Sequence, residues 1–297
     1  MNRRDFLISS LAACSLSGVA AAANPSVSPK SRNKIIGFTK SFADLSLADS
    51  AALVEEIGWD GVDVTIRSSS THIQPQKVAD DLPAFIEFLK KRDKVVSVVT
   101  TDIWKITPNA EKLLRVLADS GVKKYRLGFL QYQKNDDPMK VAREAAPVLK
   151  DIAAINQELG LWAGYQNHSG PQYFGGPLWD VIFAMEGTSP DQLGLCFDIA
   201  HATVEGGQNW PIQYRLARPR IGVSYVKDYR WREDQHTWHR DSCHFGQGVV
   251  RKEFFTGLLA SGFDGEFCQH HEYPLGATAE RVEHYKRDLK QLRSWIE

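Results

Sequence analysis

The sequence predicts a single (β/α)8 barrel. Three observations predict it: eight short apolar runs spread along 297 residues, segments of helical apolar spacing between them, and polar residues gathered at the C-terminal ends of the runs. A barrel of this type typically takes about 250 residues, so the chain is long enough for one. The alternative is an open doubly wound sheet, but no Gly-rich phosphate fingerprint follows the first run.

The strand candidates begin near Ile35 (IIGFT), Gly61 (GVDVTI), Val95 (VVSVVTT), Lys124 (KYRLGF), Leu161 (LWAGYQ), Leu193 (LGLCFD), Ile221 (IGVSYV) and Gly265 (GEFCQHH). Helical spacing is read over Leu45 to Ile57, Leu82 to Arg92, Ala110 to Ser120, Val141 to Leu159, Phe254 to Ser261 and Thr278 to Ile296. Several helices meet a glycine just before the next strand, at Gly58, Gly160 and Gly262, where a left-handed residue ends a helix without a Cβ penalty.

Residues 1–23 read as a signal peptide outside this pattern. Arg3 and Arg4 precede Phe6, Leu7 and Ile8, and a small-residue run ends at Ala20 to Ala23; NRRDFLI resembles a twin-arginine export signal. Export to the periplasm, or out of the cell, is therefore expected. A second, minority reading takes Leu11-Ala12-Ala13-Cys14 as a lipoprotein box that leaves a lipid anchor on Cys14. Residues 24–33 are a Ser/Pro/Lys linker, and 34–297 form the barrel. No transmembrane segment is expected once the signal is removed.

Composition narrows the partners. Lys+Arg and Asp+Glu both number 36, and no basic stripe with interleaved aromatics occurs, so a nucleic-acid partner is not expected. Three cysteines follow the signal, Cys196, Cys243 and Cys268. They form neither a disulfide framework nor a zinc-knuckle spacing. Cys196 and Cys268 lie in apolar runs and read as small buried hydrophobes.

LGLCFDIAH carries the sharpest signal. A run buried on both faces ends in Asp198, with His201 three residues later, where a parallel strand leaves the core. Asp198 taken alone could equally cap a helix. In a barrel, however, all strand ends face one bowl, and the others supply Thr65, Arg126, Tyr165-Gln166-Asn167-His168, Tyr225-Val226-Lys227-Asp228 and His270-His271-Glu272-Tyr273. Side chains alternate along a strand, so Gln166 shares a face with His168 and His270 with Glu272. Gln166, Asp198, His270 and Glu272 could thus form a mixed oxygen and nitrogen shell for one divalent ion, Mn²⁺, Mg²⁺ or Zn²⁺. His271, of opposite parity, should point away.

From Lys34 onward the chain resembles the xylose-isomerase-like TIM barrels, a superfamily of sugar (phosphate) isomerases and epimerases that also holds endonuclease IV-type enzymes. FDIAH resembles the strand-six motif, which implies that Asp198 binds metal and His201 contacts substrate. HHEYP resembles the strand-eight motif, which implies a metal-binding, acid/base Glu272. YQNHSG matches the strand-five region, and YVKD with Gly246-Gln247-Gly248 matches the stretch after strand seven. Two departures stand out: Gln166 replaces a Glu, and Tyr225 replaces a His ligand. A Gln takes no proton at neutral pH, which weakens a two-carboxylate epimerase scheme. The endonuclease reading lacks its His-rich zinc cluster and basic face.

The expected chemistry is metal-assisted proton abstraction next to a carbonyl of a sugar or sugar derivative. Glu272 and His201 are expected to move the proton, and Lys227 to hold a substrate oxygen. His168, Arg126, Thr65 and Tyr225 are expected to contact the sugar. Export disfavours a phosphorylated substrate. Two alternatives stay open: a lyase or hydrolase acting on 3-keto-glycosides through the same enolate, and a non-catalytic sugar-binding barrel. The oligomeric state is not read from the sequence.

Overall fold

The computed structural model describes residues 33–69 and 71–297. The signal segment, Cys14 and nearly all of the linker lie outside these residues. Eight parallel strands close into a barrel: β1 (Ile35–Phe38), β2 (Gly61–Ile66), β3 (Val95–Thr101), β4 (Lys124–Arg126), β5 (Trp162–Gln166), β6 (Leu193–Asp198), β7 (Ile221–Val226) and β10 (Glu266–Gln269), with β1 pairing both β2 and β10. Each begins within a residue of its apolar run. The helices are α1 (Leu47–Ile57), α2 (Val78–Lys90), α3 (Pro108–Asp119), α4 (Pro138–Leu159), α5 (Trp179–Ala184), α6 (Ile199–Gly206), α7 (Trp210–Ala217), α8 (Lys252–Ala260) and α9 (Thr278–Ile296).

The helices α2, α3, α4 and α8 start two to four residues before the apolar spacing does. For α3 and α4 the start is fixed by end chemistry: Thr107 and Asp137 accept N-terminal N–H groups, each with a proline behind the cap. The glycine stops are real for α1 and α4, where Gly58 and Gly160 adopt φ of 89° and 64°.

Inside the barrel, the end remote from the bowl is plugged by Trp162. A Cβ at Gly194 or Gly222 would come within 2.8 or 2.4 Å of its ring, so these two strands must carry glycine there. Lys124 lies 5.8 Å over the same ring and bridges to Glu266 at 2.7 Å. Next comes an apolar layer of Ile36, Val98, Cys196, Val223 and Cys268. Beyond it the strands present Phe38, Asp63, Thr100, Arg126, Gln166, Asp198, Tyr225 and His270, one from each strand or its end. The three cysteines are unpaired, with Cys196 and Cys268 buried as expected.

One element has no counterpart in the apolar runs. Directly after β7 the chain forms an antiparallel hairpin, β8 (Asp228–Asp234) and β9 (Thr237–Cys243), separate from the barrel sheet. No described helix is long and apolar enough to cross a membrane.

Candidate functional site

Asp198 performs both jobs that its position allows. Its Oδ1 accepts the backbone N–H of His201 at 3.1 Å and caps α6. Its Oδ2 turns into the bowl, where it accepts Gln166 Nε2 at 2.9 Å and meets Lys227 Nζ at 3.1 Å. Asn167 locks the strand end, accepting from Asp198 N at 2.8 Å and donating to Asp198 O at 2.9 Å.

Lys227 is the hub. It is 6 % exposed, and its ammonium has three hydrogens and three partners: His201 Nε2 at 2.8 Å, Asp198 Oδ2 at 3.1 Å and Glu272 Oε1 at 2.6 Å. Because an ammonium only donates, His201 must accept at Nε2 and carry its proton on Nδ1, which faces Ser169 Oγ at 2.8 Å. Arg240, from β9, donates to the same Ser169 Oγ at 2.8 Å. Burial, then Lys227 and His168, hold the His201 pKa well below its ordinary value. His201 is therefore neutral with its lone pair occupied, an orienter of Lys227 and not the free base expected from its spacing.

Glu272 is the open end of this network, with its side chain 36 % exposed and lining a cavity of about 490 Å³ with Phe38, Lys40, Ser41 and His270. Desolvation pushes its pKa up, but the charge and hydrogen bond of Lys227 overcome that and hold it below the ordinary value. Asp228 is not a partner of Lys227. Its carboxylate turns away and accepts the N–H groups of Gly246, Gly248 and Val250 at 3.0, 2.8 and 3.1 Å, tying down the loop after the hairpin.

The opposite wall is built from residues of which sequence reading found only part. Asp63, fully buried on β2, accepts from Tyr225 Oη at 2.8 Å and from Thr100 Oγ1 at 2.8 Å. Burial raises its pKa to about 6, against the pull of Arg126. His270 stacks on Phe38 at 4.3 Å and leans on Tyr225 at 4.0 Å, and its Nε2 is buried without a partner. Arg126 donates to Gln166 Oε1, so the Gln166 amide is held with its N–H side toward Asp198.

This arrangement redraws the expected metal shell. Asp198 and Glu272 converge on an ammonium, and Gln166 presents a donor where a ligand would present an oxygen. A divalent ion does not fit among N–H groups aimed at the same oxygen. Among the described residues, the set that could hold an ion is Asp63, Cys268 and His270, whose ligand atoms lie within 4.8 Å of one another. Of the four ligands expected from the sequence, only His270 belongs to it.

Other expected contacts separate. Thr65 Oγ1 accepts His72 N at 2.7 Å and pins the following loop. Arg126 and Tyr225 are in the bowl wall, and His168 stacks on His201 and Tyr173 at 3.9 and 4.0 Å. His271 points outward to Asp288 at 3.5 Å, in line with its parity. Asp63 was discoverable, since an acid in the middle of an otherwise buried strand and at inward parity must have a partner. Ser169 and Arg240 carried no comparable signal.

Comparison with known proteins agrees with this architecture. Residues 51–295 match the family model described as xylose isomerase-like TIM barrel. A xylose isomerase-like TIM barrel protein from Mycobacterium smegmatis in complex with magnesium aligns with TM-score 0.65 and 17 % identity over 89 % of this chain and 98 % of that one. The 3-keto-D-glucoside 4-epimerase YcjR of E. coli aligns with TM-score 0.68 and 14 % identity over 89 % and 100 %. The IOLI protein with a binding zinc atom gives TM-score 0.71 and 14 % identity over 89 % and 98 %. At these identities the structural likeness speaks for the fold. No curated protein matches the sequence. On the match of the family model over most of its length, the chain belongs to the xylose isomerase-like TIM barrels.

Proposed function

We propose that this protein is an enzyme that moves a proton at a carbon next to a carbonyl of a sugar or sugar derivative, with Glu272 as the base. The observation that carries the reading is the 2.6 Å contact between Glu272 and the buried ammonium of Lys227. Lys227 Nζ is bonded to His201 and Glu272 and ion-paired with Asp198, and Glu272 is the exposed partner of the three. A substrate carbonyl oxygen that displaces Glu272 from Lys227 gains the ammonium as its hydrogen-bond donor and frees the carboxylate. Glu272, relieved of Lys227, then rises in pKa and becomes a stronger base at the moment it is needed. The abstracted proton passes to Glu272 and the electron pair to the oxygen, whose charge Lys227 stabilises. Glu272 can return the proton to the neighbouring carbon of the enediolate, which isomerises the sugar, whereas epimerisation would need a second acid on the opposite face, where the chain carries Gln166.

Asp198 and His201 hold the ammonium in place, and Arg126, His168 and Tyr225 shape the sugar pocket. Zinc in one fold neighbour and magnesium in another keep a divalent ion in view. The donor set that could hold such an ion is Asp63, Cys268 and His270, and sulfur and imidazole ligands suit zinc. A cation there would supply positive charge at the floor of the bowl.

Elimination from a 3-keto-glycoside through the same enolate is the second chemistry the site supports, and the 3-keto-glucoside named for one fold neighbour favours testing it. A non-catalytic sugar-binding barrel is favoured by Gln166 and disfavoured by the Glu272–Lys227 pair. Incubation with free, 3-keto and glycosidic sugars in deuterated water decides among the three. Deuterium at a carbon next to the carbonyl supports proton abstraction, and release of an aglycone marks the lyase. No incorporation with any sugar overturns the enzyme reading. Export through the twin-arginine pathway is part of the proposal and rests on Arg3 and Arg4.

A further inference from the structure

The hairpin after β7 has two unlike faces. Directly opposed residues in an antiparallel pair share a face, and so do residues two apart. The register Tyr229↔Ser242, Trp231↔Arg240 and Glu233↔Trp238 therefore puts Tyr229, Trp231, Glu233, Trp238 and Arg240 together. The other face carries Arg230, Arg232, Asp234, Thr237, His239 and Asp241, laced by an Arg232–Asp241 bond of 2.7 Å.

The aromatic face is the one that looks onto the site, because its Arg240 reaches Ser169 Oγ at 2.8 Å and stands 3.3 Å from His201 Nδ1. Tyr229 is buried at the root and meets the Trp231 ring edge-on at 5.5 Å. Trp231 and Trp238 are 45 % and 61 % exposed. Trp231 stands directly across from Arg240, and Trp238 lies about 7 Å farther out along the strand. Two half-exposed indoles thus continue outward from the reacting network, on a strand pair whose reverse is fully polar. Flat apolar rings with a polar edge, alternating with Arg240 and Glu233, match the apolar ring face and hydroxyl rim of a second sugar.

We infer that the substrate is a glycoside carrying a further ring beyond the reacting sugar, and that Trp231 and Trp238 form the subsite for that ring. This rests on the sugar-binding part of the proposed function and specifies its substrate class. Arg240 links the subsite to the reacting centre, since it donates to the hydroxyl that fixes the His201 ring and through it Lys227.

Calorimetric affinities of the purified protein for cellobiose and maltose, each beside the methyl glucoside of the same anomeric form, test the inference. The parent protein is expected to bind the disaccharide at least about tenfold tighter than the methyl glucoside. Trp231→Ala and Trp238→Ala should each pull that ratio toward one, while far-ultraviolet circular dichroism stays that of the parent. A ratio near one in the parent, no binding of either disaccharide, or a ratio unchanged in both variants overturns the inference. So does sedimentation showing a dimer that the Trp238→Ala variant dissociates, because the indoles would then be covered by a second copy. Binding is read without turnover, so the absence of deuterium exchange would sink the catalytic reading while leaving this one to be judged on its own ratio.

Discussion

Replacing Lys227 by methionine removes the charge and keeps the length of the side chain, which isolates what the ammonium does. Asp198 is fully buried and would keep only Gln166 Nε2 as a side-chain donor to Oδ2, while its neighbour Glu272 would lose its 2.6 Å partner. Stripping one partner from a buried ion pair costs about 3–5 kcal/mol, a large share of a domain's total of about 5–15 kcal/mol. Adding Asp198→Asn to Lys227→Met removes the stranded charge and keeps an oxygen for the α6 cap, but sets an amide N–H₂ against Gln166 Nε2, so the double variant should recover part of the loss, about 1–3 kcal/mol. Urea denaturation at pH 7 reads both. The pH–rate profile adds a separate signature: without Lys227, desolvation and the Asp198 charge both raise the Glu272 pKa, so its acidic limb moves to higher pH. A single variant within about 1 kcal/mol of the parent would refute the hub role of Lys227, and so would a double variant no more stable than the single.

Metal analysis of purified protein should show zinc content falling in Cys268→Ala and holding in Asp198→Asn; the reverse pattern would return the ion to the Asp198–Glu272 pair. Stability should fall as pH drops below about 6.5, since burial lowers the pKa of His72 and His168 to about 4, of His271 to about 3, and of His201 and His270 as well. These groups bind more protons when unfolded, so the loss begins at the unfolded pKa; Asp63, Asp228 and Asp288 are shifted upward and regain stability at lower pH, three groups against five. A urea midpoint at pH 5.5 equal to that at pH 7.5 contradicts this. A fusion carrying Arg3→Lys and Arg4→Lys should stay in the cytoplasm while the parent signal exports it, and equal export of both identifies a signal of another kind.

The barrel was legible because its signal is local and repeated. Eight apolar runs, each followed by helical spacing or a long connection, leave little choice of architecture, and every barrel strand starts within a residue of its run. The hairpin was not legible for a local reason too. RWREDQHTWHRDSC holds no apolar run, and its turn uses Gln235 and His236 at φ 45° and 64°, where asparagine or glycine would have announced it. The short helices α5, α6 and α7 escaped because six to eight residues give too few turns for a period to show. The bowl was legible as a place, not as a set of roles. Strand ends alone pointed to Thr65, which serves a loop, and passed over Asp63, two residues earlier on the same face, which reaches the centre.

The two departures from the family pattern make physical sense together with the side chains they meet. A glutamate at position 166 would set a second carboxylate against Asp198 Oδ2, an arrangement that a divalent ion could hold but one ammonium shared with Glu272 could not. Glutamine instead gives its N–H to Asp198 and its oxygen to Arg126, which a carboxylate could not do at once. Tyrosine at 225 likewise supplies the O–H that Asp63 accepts. The wall already sets three carboxylates, Asp63, Asp198 and Glu272, against the two cations Lys227 and Arg126, so it has no positive charge to spare for another acid. Gln166 is thus matched to an Asp198 held by a side-chain cation, and Tyr225 to a buried Asp63. Restoring Gln166→Glu alone should therefore leave an unbalanced buried charge and destabilise the protein by about 1–3 kcal/mol at pH 7, read by urea denaturation. A Gln166→Glu variant as stable as the parent, and newly able to retain magnesium through gel filtration, would show instead that Lys227 yields to a metal as soon as the fourth oxygen is provided.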